Sequence, residues 1–130
     1  MLRLVSFSVA ALILVAIGLA ITASQGGIGV APDREIPGGR PDQGPMAFVK
    51  YGCGGCHEIA GVRSAKGKVG PSLTTLGERA YIAGNLPNTP ENLVLWIINP
   101  QGIEPGTAMP NLGVTQEDAR SMAAYIYSLH

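Results

Sequence analysis

Hydrophobic and polar positions are spaced on three different scales along the chain. From Leu4 to Ala23 they do not alternate at all: LVSFSVAALILVAIGLAITA is twenty residues without a charge, an amide side chain or a proline. As a helix it would be ~30 Å long, about the thickness of a bilayer's hydrocarbon core. Residues 24–45, SQGGIGVAPDREIPGGRPDQGP, carry six glycines and four prolines with no apolar period. Such a stretch lacks the apolar surface to offset the entropy of ordering it. It reads as a tether between an anchor (1–23) and a domain (46–130).

In the domain the spacing becomes helical, in short pieces. Residues 45–52 predict a short helix with Phe48 and Tyr51 on its apolar side. Residues 58–88 are glycine-rich without a sustained period and predict loop. Thr89-Pro90-Glu91 supplies an N-cap, a proline at the first helical position and an acid in the first turn. The helix it opens runs through Leu93, Trp96 and Ile97, and Pro100 is expected to stop it. Thr115-Gln116-Glu117-Asp118 resembles a capping box. Beyond it Ala119, Met122, Ala123 and Ile126 recur at i, i+3, i+4 and i+7, one buried stripe. No segment alternates as a strand, so the fold class is all-α.

Composition and charge narrow the function. Nine Lys and Arg balance nine Asp and Glu in 130 residues, so the basic excess of a nucleic-acid binder is missing. Two cysteines are too few for a disulfide scaffold. The first run is longer than the apolar region of a cleaved signal peptide, typically about 7–15 residues, and is expected to remain as a single-pass anchor. Arg3, the only charge before Asp33, favours a cytoplasmic N-terminus, with everything after the anchor on the extracytoplasmic side.

The two cysteines carry the chemistry. They stand at Cys53-Gly54-Gly55-Cys56-His57. A zinc site needs four ligands, and the chain offers two Cys and two His, one of them at position 130. A thioredoxin-like pair needs a βαβ context that the pattern does not provide. The remaining reading is c-type haem attachment, with both thiols forming thioethers and His57 ligating iron. Of the methionines, Met1 lies in the anchor, Met46 immediately before the motif and Met122 in the core stripe. Met109 sits in Pro105-Gly106-Thr107-Ala108-Met109-Pro110, an irregular loop with no helical face to fill, and is the expected second axial ligand.

From Gly44 onward the chain resembles a class I mono-haem cytochrome c. The resemblance rests on Gly44 and Phe48, on CGGCH, on Gly70-Pro71-Ser72-Leu73 and on Gly77-Glu78-Arg79. It continues through NTPENLVLWIINP, PGTAMP and AAYIYSL. It implies one covalent haem c, and first and last helices that cross with Gly44 and Phe48 against Ala123, Ile126 and Tyr127. It implies that the Pro71 carbonyl accepts the His57 Nδ1–H, and that Leu73, Arg79 and Trp96 join the haem surroundings, the last two near the propionates. The run NLPNTPENLVLWIINPQGIEPGTAMPNL is most similar to two kinds of relative. One is the cytochrome domain of caa3-type oxidase subunit II; the other is the mono-haem subunit of alternative complex III. The sequence carries no copper-centre domain, which favours the second.

The expected function is therefore electron transfer rather than catalysis in a respiratory or photosynthetic chain, by a membrane-anchored subunit of a quinol-oxidising complex that meets other subunits and redox partner proteins; the alternatives are a free-standing anchored carrier, an oxidase-associated cytochrome, or a haem-based sensor or enzyme. Lys50, Arg63, Lys66 and Lys68 flank the motif and are candidates for docking an acidic partner.

Overall fold

The computed structural model describes residues 34–129. Helix α1 (Gly44–Lys50) has Pro45 in its first turn and follows a 3-10 turn at Pro41–Gln43. Tyr51 caps it, Gly52 turns the chain through φ 68°, and a second 3-10 turn, Cys53–Gly55, opens the cysteine motif. The glycine-rich stretch that follows is mostly loop, with a third 3-10 turn at Leu76–Glu78. Helices α2 (Pro90–Ile98), α3 (Pro100–Ile103) and α4 (Gln116–Tyr127) complete the chain.

The caps work as their residue types dictate. The Thr89 hydroxyl oxygen accepts the Asn92 N–H at 3.2 Å, and that of Thr115 accepts the Asp118 N–H at 3.2 Å. One expectation is corrected. Strands β1 (Tyr81–Ile82) and β2 (Leu86–Pro87) pair antiparallel, so the described part is helix-rich with a small hairpin rather than strictly all-α. Strands of two residues are too short to show a period of two. The helix before Pro100 stops as expected, α2 ending at Ile98, and Pro100 is itself the first residue of α3. Its missing N–H is harmless there, and Asn99 caps the new helix by accepting the Gly102 N–H at 3.0 Å.

Helix α4 is the element on which the rest is assembled: α1, α2 and the turn at 41–43 all pack against it. Its stripe is buried as the spacing predicts, Met122 being 1% exposed, and it joins Phe48, Ile82, Leu93, Trp96 and Ile97 in one core. The crossing with α1 is close. A methyl group on Gly44 would overlap Tyr125 Cβ and lie 2.9 Å from the Ser121 carbonyl oxygen. Phe48 meets the Tyr125 ring edge-on at 6.1 Å between centroids. Tyr125 is thus an aromatic partner at the crossing that the sequence reading did not name. Ser121 and Tyr125 are four residues apart and share a face of α4, whereas Tyr127 lies nearly opposite and bonds Asn88.

The described part of the expected tether is docked on the same helix. Ile36 is buried, the Arg40 N–H donates to Ser121 Oγ at 3.3 Å, and the Arg40 guanidinium pairs with Glu117 at 3.0 Å. Arg120 donates to the Pro37 carbonyl, and Arg34 lies over the Tyr127 ring. Composition missed this because α4 supplies the polar partners that the strap itself lacks. No helix among the described residues is long and apolar enough to cross a membrane. The anchor expected at 1–23 and residues 24–33 of the tether lie outside the described residues.

Candidate functional site

The site starts where α1 ends. The Cys56 and His57 N–H groups both donate to the Cys53 carbonyl, at 3.2 and 3.0 Å, which winds the motif into one turn carrying two thiols and an imidazole. Cys53 is half-buried and packs on the core; desolvation, partly offset by a backbone hydrogen bond, pushes its thiol above the ordinary cysteine range. Cys56 is exposed, and neither thiol is in a disulfide.

His57 is held from two sides. Its Nδ1 lies 2.7 Å from the Pro71 carbonyl oxygen. A carbonyl only accepts, so Nδ1 is the donor, and the neutral ring that ligates a metal then presents its lone pair at Nε2. Gly70 lies flat on the ring, where a methyl group would overlap Cε1 and sit 2.7 Å from Nδ1. The Gly70 N–H donates to the Cys56 carbonyl at 2.8 Å and the Leu73 N–H to the Glu58 carbonyl at 2.9 Å. Both bonds clip residues 70–73 to the motif.

Arg79 is exposed and donates to the Ser72 carbonyl at 3.4 Å, which brings it beside Pro71 and Leu73. Trp96 is only 8% exposed and belongs to the core from α2. Of the four expected basic residues, Lys50 is separated from the rest by its pairing with Asp118 at 2.8 Å. Tyr51 donates to the same carboxylate at 2.7 Å. These partners hold Asp118 below the usual aspartate range and Lys50 above the usual lysine range.

Met109 comes from the loop between α3 and α4, half-buried and packed on the core. Three amides that sequence reasoning did not single out organise that loop. Gln101 Nε2 donates to the Thr107 carbonyl at 2.6 Å and the Met109 carbonyl at 2.9 Å, and its Oε1 accepts the Gly106 N–H at 3.3 Å. Asn111 accepts the Gln101 N–H at 3.3 Å and donates to Asn99 Oδ1 at 3.0 Å. Their only signal in the sequence is their place on either side of a Pro/Gly loop. Asn88 was equally silent: it donates to the Leu76 and Arg79 carbonyls, both at 2.8 Å, and accepts from Tyr127.

This arrangement fits a covalent haem. The thiols leave from one turn, and the His57 lone pair is the free donor. Cys53, Leu73, Ile98 and Met109 are apolar side chains packed on the core yet left partly exposed, as expected of a core that a flat apolar group completes. Among the described residues no group of three or more His, Cys, Asp or Glu is placed to hold a bare metal ion.

The cytochrome c family profile matches residues 41–130. Three cytochrome c oxidase subunit 2 proteins are similar to about two thirds of the chain. That of Alkalihalophilus pseudofirmus is 40% identical over 89 residues, 68% of this chain and 25% of the relative. That of Bacillus sp. PS3 is 33% identical over 87 residues, 64% of this chain and 24% of the relative. That of Bacillus subtilis is 31% identical over 87 residues, 65% and 24%. The chain thus spans about a quarter of the length of the curated relatives it matches. No solved structure gives a significant match. With the profile covering the whole region from the turn at Pro41 onward, the chain belongs to the cytochrome c family, as a class I c-type cytochrome with covalently attached haem c.

Proposed function

We propose that the protein is a one-electron carrier in which His57 and Met109 would together hold the haem iron, leaving it no open position for a substrate. Haem c supplies a reversible Fe(II)/Fe(III) couple. Cys53 and Cys56 fix the group to the chain, Pro71 and Gly70 hold the His57 ring, and Met109 is a soft donor that favours Fe(II) and raises the potential. The observation that carries the reading is the pinned loop bearing Met109, because a displaceable or missing second ligand is what a sensor or a haem enzyme requires. Pro71, Leu73, Arg79 and Trp96 are assigned to the haem surroundings.

The test is Met109→Ala in the haem-loaded protein. It is expected to lose the weak long-wavelength absorption of methionine-ligated ferric haem, lower the reduction potential and bind carbon monoxide, with thioether attachment intact. Retention of the band refutes the ligand assignment, and carbon monoxide binding by the wild type favours the sensor or enzyme reading.

The apolar run at 1–23 supports anchoring in the cell membrane, with the haem domain extracytoplasmic. The carrier is proposed as a non-catalytic subunit of a quinol-oxidising complex of the alternative complex III type. The relatives named cytochrome c oxidase subunit 2 favour a second reading, an oxidase-associated cytochrome. Isolation from native membranes in mild detergent separates the two: quinol oxidation by the haem-containing fraction supports the first, and oxygen reduction by that fraction supports the second.

A further inference from the structure

We propose that Gln101 is the positioning residue for the Met109 sulfur, an inference that rests on Met109 being an axial ligand. Between α3 and α4 the chain runs through Pro105-Gly106-Thr107-Ala108-Met109-Pro110 with almost no secondary structure to hold it. For residues 105–114 the backbone–backbone hydrogen bond among the described residues is from Thr107 N–H to the Glu104 carbonyl. The side-chain amide of Gln101 replaces the missing ladder. Both its N–H bonds end on loop carbonyls, one of them that of Met109 itself, and its oxygen takes the Gly106 N–H.

The amide is itself fixed. Gln101 lies in the four-residue helix α3, which Asn99 caps, and its own N–H goes to Asn111 just beyond Met109. Asn111 returns to Asn99 Oδ1, so the loop is closed at both ends on one helix cap. A thioether is a weak ligand that solvent or an added base displaces when it is free to swing, so the cost of moving the Met109 backbone becomes part of the ligand's grip. Gln101 touches neither iron nor haem in this role; it acts through the loop.

The experiment compares Gln101→Ala and Gln101→Glu with wild type in the full-length haem-loaded protein. Glutamate keeps the size, but as a carboxylate it faces the Thr107 and Met109 carbonyls with no proton to give. Readouts are the long-wavelength methionine band and the affinity of the ferric protein for imidazole. Loss of two carbonyl hydrogen bonds is expected to raise imidazole affinity about tenfold and weaken the band. Gln101→Glu carries the test if the alanine variant does not fold.

Met122→Ala, a core truncation remote in role from the loop, serves as a destabilised control and is expected to leave imidazole affinity unchanged. If Gln101→Glu loses stability while its imidazole affinity stays at the wild-type value, the positioning role is overturned. So it is if Met122→Ala raises the affinity equally. Met109→Ala distinguishes the two levels: no gain in imidazole binding there refutes the ligand reading itself, whereas a gain there without one in Gln101→Glu refutes only the brace.

Discussion

His57 and Pro71 are joined by a 2.7 Å hydrogen bond from Nδ1 to the proline carbonyl, and Gly70, the residue before that proline, is the floor beneath the same ring. The bond sets the proton and the floor sets the ring plane. Gly70→Ala puts a methyl group into the ring and has to move either the imidazole or the 70–73 segment. The expected outcome is a high-spin fraction in the ferric spectrum and a stability loss of ~1–3 kcal/mol, with both thioethers still formed. A wild-type spectrum in this variant would show that the contact does not constrain the ligand.

At the helix crossing Gly44→Ala is expected to destabilise the domain by ~1–3 kcal/mol, because the added carbon meets backbone as well as Tyr125. For a domain of this size that is a fall in Tm of roughly 4–8 °C per kcal/mol. Thermal melts of the haem-loaded protein check it; an unchanged Tm would mean that α1 and α4 can separate freely.

Acid should weaken the link between α1 and α4. Asp118 is held below the usual aspartate range, first by its hydrogen bond from Lys50 and then by that from Tyr51. A depressed carboxylate stabilises the fold above its unfolded value, ~3.9, and the contribution disappears as pH falls through the folded value. The stability difference between wild type and Asp118→Asn should therefore be constant near neutrality and shrink below about pH 4. Lys50 is exposed and Asp118 partly so, so added salt should reduce the difference as well. A difference independent of pH across the acid range would remove the ion pair from the account.

Arg63, Lys66 and Lys68 remain as the basic group near the motif once Lys50 is assigned to Asp118. Reversing two of the three is expected to slow electron transfer to an acidic partner severalfold at low salt, with the gap closing as ionic strength rises. Stopped-flow rates over a salt series measure it, and rates indifferent to both changes would make these residues an ordinary solvated loop.

The parts of the molecule visible in the sequence are those that short-range chemistry decides. Thr89 and Thr115 had to be caps because their hydroxyls reach the amide three residues on, and the stripe containing Met122 had to be buried because its spacing makes one face. The motif and the loop around Met109 stood out by residue type alone. What stayed hidden depends on partners far along the chain. Gln101 is an unremarked polar residue until the loop folds back over α3, and Tyr125 is picked out only when Gly44 arrives against it. The strap at 34–43 looked like a tether because its own composition says nothing of Ser121 and Glu117. The hairpin at 81–87 is too short for any period to register.

That α4 receives the strap, α1 and α2 has a consequence for the order of events during synthesis. The hydrogen bonds that close the domain join residues as far apart as Pro37 and Arg120, 83 positions along the chain. The strap, α1 and α2 complete their packing only when this last helix is present. At ~5–20 residues per second, the 77 residues that follow Cys53 take ~4–15 s to make. Through that interval the chain that carries both thiols lacks the helix on which the strap, α1 and α2 pack.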